Sequence, residues 1–139
     1  MITEDYVSFE IAKLLKDKGF DIPLNYLYNS YGKKCYATSY NWNQTLGDFQ
    51  DYSCPTLQMT MKWLREAHNI EIAISYGIIF DRNTLKQVFK YFWSIVKVNG
   101  LCLEFPMNTP DDVCNKEIEA NSYEEAVEAA IKYCLINLI

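Results

Sequence analysis

The chain has 139 residues, a net charge of −5 from 13 Lys and Arg against 18 Asp and Glu, and a single histidine. That length suits one domain over 1–139, long enough to hold a core without staples. The acidic balance argues against nucleic acid, which needs clustered Lys and Arg, and His68 alone excludes any site built from two histidines.

The first predicted element is a helix from Thr3 to Lys18. Thr3 is its expected cap, Glu4 and Asp5 suit the positive end of the helix dipole, and Val7, Ile11, Leu14 and Leu15 repeat on one face. Gly19 follows, where a left-handed cap is wanted. Residues 24–28 and 35–40 read as two short aromatic strands joined by the turn residues of 29–32. Residues 41–54 have no period and read as a loop.

A second helix is expected over 55–69, with Ser53 or Cys54 before it and Pro55 at its first position. Its apolar face is Leu57, Thr60, Met61, Trp63, Leu64 and Ala67. A strand over 70–80 starts with clean alternation at Ile70, Ile72 and Ile74, and Asp81 to Asn83 interrupts it. The next strand, 86–98, meets Asn99-Gly100, a dipeptide that suits the two central positions of a tight hairpin turn. Leu101 to Phe105 returns as its partner. Residues 107–121 read as an acidic loop. The last helix, 123–138, opens with the capping-box spacing of Ser122 and Glu125 and buries Tyr123, Val127, Ala130, Ile131, Cys134 and Leu138. Glu128 and Lys132 have the spacing of a helical ion pair.

The order α-β-β-α-β-β-β-α, with short hairpin connections, predicts an α+β fold: one antiparallel sheet of about five strands covered by three helices. The five cysteines are odd in number and lack C-x-x-C spacing, and no apolar run approaches the length of a membrane span. The expectation is a cytoplasmic protein with five free thiols, no disulfide and no membrane partner.

Three stretches together, Met1 to Lys16 with Lys18 to Asp21, Pro55 to Glu66, and Tyr123 to Leu135, resemble a family of small uncharacterised proteins from Bacteroides-type gut bacteria and their phages and prophages. The resemblance covers the three helices and implies a cytosolic, mobile-element setting. It brings no activity, ligand or site residue with it.

Motifs for catalysis are lacking. Cys54 precedes a helix, where the dipole favours a thiolate, but His68 lies at the far end of that helix, about 20 Å away at 1.5 Å per residue. Asp48, Asp51 and the acids of 107–121 lack the spacing of a calcium loop. No cofactor or metal site is expected. The aromatic content is the unusual feature: 11 Tyr, 7 Phe and 3 Trp. Six Tyr and Trp fall between 26 and 42, more than one buried face can take. Tyr28, Tyr31, Tyr40 and Trp42 are the expected contact residues, since rings with polar tips concentrate at interfaces. The rival expectation is that all six fill the core between sheet and helices.

The functional expectation is therefore a non-enzymatic protein-binding module, with a protein partner or self-association as a homodimer. One alternative is a small ligand-binding domain or enzyme using the acidic loop or a thiol. Another is an accessory factor in nucleic-acid metabolism.

Overall fold

The structure, a computed structural model, describes residues 2–44, 50–99, 102–104 and 119–139. Helix α1 spans Phe9–Asp17 and is capped by Ser8, whose hydroxyl accepts the Ile11 N–H at 3.3 Å. Thr3 is not the cap. Residues before Ser8 run extended beside the start of the second helix, where Tyr6 bridges Thr56 and Val7 N donates to Pro55 O at 3.0 Å. A partner for that backbone outcompetes local helix propensity. At the other end Gly19 sits at φ +84°, with Phe20 N donating to Leu15 O and Gly19 N to Lys16 O, so the expected left-handed cap is present as a Schellman motif.

Strands β1 (Leu24–Tyr28) and β2 (Lys34–Tyr40) form the expected antiparallel hairpin. Asn29 organises its turn: the side-chain oxygen accepts the N–H groups of Tyr31 and Lys33. Gly32 is at φ +80°, where a Cβ would lie 3.1 Å from the Phe9 ring. Two residues inside the expected loop, Tyr52–Ser53, form β3 and pair with the free edge of β1. A two-residue strand has no period to read, and it is one reason why the fold departs from a single five-stranded sheet. Among the described residues the sheets are two: β2-β1-β3, and a second built on a long ribbon.

Helix α2 (Leu57–His68) starts two residues later than expected because Thr56, not Ser53 or Cys54, is its cap and accepts the Met59 N–H at 3.1 Å. Asn69, in the left-handed region at φ 57°, ends the helix and turns the chain directly into β4 (Ile70–Asp81). Strand β5 (Lys86–Asn99) pairs with β4 along its whole length, Ile70 opposite Lys97 and Asp81 opposite Lys86. Strand β6 (Cys102–Glu104) then pairs Asn99 with Cys102, so Asn99 is a strand residue and not the first central turn residue; Gly100 and Leu101 lie outside the described residues. The acidic segment lies outside them from 107 to 118, and Glu119–Ala120 form β7, which pairs with Tyr91 and Phe92.

Helix α3 (Tyr123–Asn137) touches β4, β5, α1 and α2. Its buried stripe is Ala126, Val127, Ala130, Ile131, Cys134 and Leu135, with small residues that let neighbours approach closely. Ser122 caps it as expected, while Glu125 reaches back to the Asn121 N–H. The expected Glu128–Lys132 pair is replaced by contacts to α1: Lys132 pairs with Glu10 at 2.9 Å, and the Glu128 carboxylate accepts the Ser8 N–H at 3.2 Å. An anion at the N-terminus of α1 gains from the helix dipole, which a solvated intrahelical pair would not. One buried cluster draws on α1, β1, α2, β4, β5 and α3. The architecture is α+β.

Candidate interaction surfaces

The hairpin rings divide into anchored and free. Tyr28 is half-buried: its hydroxyl donates to Val7 O at 2.7 Å, and its ring meets Phe9 edge-on at 5.5 Å. Burial pushes its phenol up to about 12. Trp42 is half-buried too, and its indole N–H donates to Leu24 O at 2.9 Å. Tyr40 packs against Trp42 at 5.2 Å but stays exposed. Tyr31 stands alone at the turn, 92% exposed. The four expected contact residues therefore do not form one patch. Tyr40 and Trp42 meet, Trp42 ties the end of the hairpin back to the start of β1, and Tyr28 holds the hairpin to the body.

Tyr36, outside the expected set, is 73% exposed and packs on Tyr26 at 5.2 Å, with Tyr6 beyond at 4.9 Å and Lys34 Nζ 4.0 Å from the centre of the Tyr6 ring. Lys13 covers Phe9 and Lys16 covers Tyr52 in the same way. These cation–π contacts satisfy the ring faces within the chain.

The larger surface is on the ribbon. Ile70, Ile72, Ile74, Tyr76, Ile78 and Phe80 fall on one face of β4 because side chains alternate. Across from the last five stand Ile95, Trp93, Tyr91, Phe89 and Gln87 on β5. At the base of the ribbon this face is core: Ile70, Ile72, Trp93 and Ile95 are buried. A 12-residue strand runs about 40 Å at 3.4 Å per residue, whereas the 15 residues of α3 span about 22 Å. The outer half outruns its cover. Tyr76, Ile78, Phe80 and Phe89 are each half or more exposed, and no charged residue stands among them. The rings touch one another, Tyr76 to Phe89 at 5.3 Å and Phe89 to Tyr91 at 5.5 Å. The signal was present in the sequence as a stripe continuing past Ile74, longer than any helix among the described residues.

At the ribbon tip, residues 82–85 connect the strands. Hydrogen bonds from the Asn83 backbone and from Thr84 hold the Asp81 carboxyl below its usual value. Leu85 closes the turn at φ 55° and is 74% exposed. A left-handed leucine carries strain that glycine or asparagine would avoid.

The sites that would support chemistry are weak. Cys54 is buried, and burial pushes its thiol up to about 11 despite the lowering effect of the Tyr28 hydroxyl and Lys34. Cys134 is pushed up to about 12 for the same reason. Both stay protonated near neutral pH, so neither supplies a thiolate nucleophile. His68 packs edge-on against Trp63 at 4.7 Å. In an open hollow lined by Lys90, Glu119, Asn121 and Glu125, Lys90 engages the Asn121 side chain and Glu125 accepts the Asn121 N–H. Among the described residues, no group of three or more His, Cys, Asp or Glu is placed to hold a metal ion, and no helix is long and apolar enough to cross a membrane.

No protein-family model, curated protein or solved structure matches the chain.

Proposed function

We propose that the chain is a non-enzymatic protein-binding module that makes its contact through the outer half of the β4–β5 ribbon. The observation that carries this reading is the uncharged run of Tyr76, Ile78, Phe80 and Phe89, continuous with the core face yet open to water. An apolar face of this kind is stabilised by burial against a partner, and its large rigid rings lose little entropy in doing so. Leu85, in the tip, is a further exposed apolar side chain. The free hairpin rings, Tyr31, Tyr36 and Tyr40, are scattered and secondary. In this reading the protein acts in the cytosol, as an accessory of a phage or prophage, through a protein partner or through self-association.

For Cys54 and Cys134 a thiol-based role is disfavoured by their burial, which keeps both protonated. Nucleic acid binding through the apolar ribbon face is disfavoured because that face offers phosphate no cation.

The test is a photoreactive phenylalanine analogue placed at Phe80, and separately at Tyr31, in the intact chain inside producing cells. The expected result is a discrete protein adduct from position 80 that Ile78→Glu abolishes, with none from position 31. Equal adduct patterns from both positions, or none from position 80, would refute the ribbon as the contact.

A further inference from the structure

We infer that the occupant of the ribbon face is a second copy of this chain, packed face to face across a two-fold axis near the Ile78–Phe89 pair; this rests on the reading of the ribbon as the contact surface. Three observations converge on a self-complementary contact.

The first is area. At roughly 150–250 Å² for a large side chain, the open parts of Tyr76, Ile78, Phe80, Leu85 and Phe89 amount to about 600 Å². Two such faces bury about 1,200 Å² in total, where specific and stable interfaces begin.

The second is charge. The chain carries −5 overall, so two copies repel over most approaches. The outer ribbon from 76 to 91 carries Arg82, Lys86 and Lys90 against the single acid Asp81, and none of the charges on its two strands stands on the apolar face. Alternation puts Lys86 and Lys90 on the face opposite Phe89, and Arg82 lies in the tip. Apposing the apolar faces leaves these charges outside and brings no like charges together. A two-fold axis asks only that one face match itself, and an uncharged apolar face meets that condition.

The third is strain. Leu85 is both left-handed and largely exposed, so the separate chain bears backbone strain and an uncovered apolar side chain at one position. Seated against the partner's ribbon, the same side chain is covered, which offsets the strain.

The test is sedimentation velocity of the purified full chain from about 1 to about 100 μM, a range that brackets micromolar association. The wild type should shift from monomer to dimer. Ile78→Glu should weaken the dimer by at least about a hundredfold, because the two-fold axis places two unpaired carboxylates in one apolar contact. Tyr31→Ser should leave it unchanged. Far-UV circular dichroism checks that the variant folds, and Phe80→Ser serves as the second variant. A wild type that stays monomeric throughout overturns the second copy as occupant. If the position-80 adduct still forms with another protein, the ribbon reading survives; if it does not, both fall. A dimer indifferent to Ile78→Glu and to Phe80→Ser also overturns the proposal, since it must be built elsewhere.

Discussion

Ile70 and Phe80 point to the same side of one strand, yet Ile70 is fully buried and Phe80 is 59% exposed. Nothing in the alternation separates them. The difference is cover: α2 and α3 pack on the ribbon, and the exposure of Tyr76, Ile78, Phe80 and Phe89 shows that this cover does not reach its outer half. The core face of the sheet thus becomes, without interruption, a surface.

The position of the helix caps gives a direct check on where the elements begin. Thr56→Ala should lower stability by about 1 kcal/mol, since it leaves the Met59 N–H unsatisfied at the start of α2. Thr3→Ala should change nothing measurable. Chemical denaturation midpoints of the two variants distinguish them.

Trp42 and Tyr31 should separate cleanly. Trp42→Ala removes a half-buried ring and its bond to Leu24 O, with a loss of about 3 kcal/mol, the lower end for truncating a large aromatic. Tyr31→Ser should stay within about 0.5 kcal/mol, as exposed substitutions do. Thermal melts of both variants would show it.

Much of this was legible in the sequence. The Gly19 cap, the β1–β2 hairpin, the three helices and the centre of the buried stripe of α3 (Val127, Ala130, Ile131 and Cys134) follow from local chemistry that the tertiary structure reinforces, whereas Tyr123 and Leu138 are only partly buried and Ala126 and Leu135 complete the stripe. What failed were features set by long-range partners. Thr56 bridging Tyr6 shortened α1. Ser53 on the edge of β1 helped to split the expected single sheet. Glu10 and Ser8 drew Lys132 and Glu128 away from each other. The hairpin rings drew attention because they cluster in sequence, whereas the ribbon patch is assembled from two strands and shows only when strand length is set against helix length.

Leu85→Gly should raise the stability of the isolated chain by about 1 kcal/mol or slightly less. The left-handed penalty for leucine is about 1–2 kcal/mol, and the greater unfolded-state freedom of glycine offsets part of the gain. Denaturation at low protein concentration, where association does not contribute, is the measurement. Lower stability would mean that the tip leucine makes contacts within the chain that outweigh its strain.

Stability should fall in alkali. Cys54 and Cys134 are raised from 9.0 to about 11 and about 12, and Tyr28 from 10.0 to about 12. The unfolded chain therefore loses these protons first, and the folded state is favoured by fewer kilocalories as pH rises. The contribution of these groups is complete below about pH 9 and is lost as pH climbs through 11 to 12. Urea midpoints across that range should drop, and Cys134→Ala should flatten the slope. The same burial predicts that Cys35, half-exposed, reacts with a thiol reagent before Cys54 and Cys134 in the native protein.

The most direct measurement of the central claim is hydroxyl-radical footprinting of the full chain, read residue by residue in dilute solution and in concentrated extract of the producing cell. The account predicts that Tyr76, Phe80, Leu85 and Phe89 are oxidised readily when dilute and protected in the extract, while Tyr31 and Tyr36 are oxidised equally in both. Ribbon residues that stay as reactive in the extract as in dilute solution would contradict it.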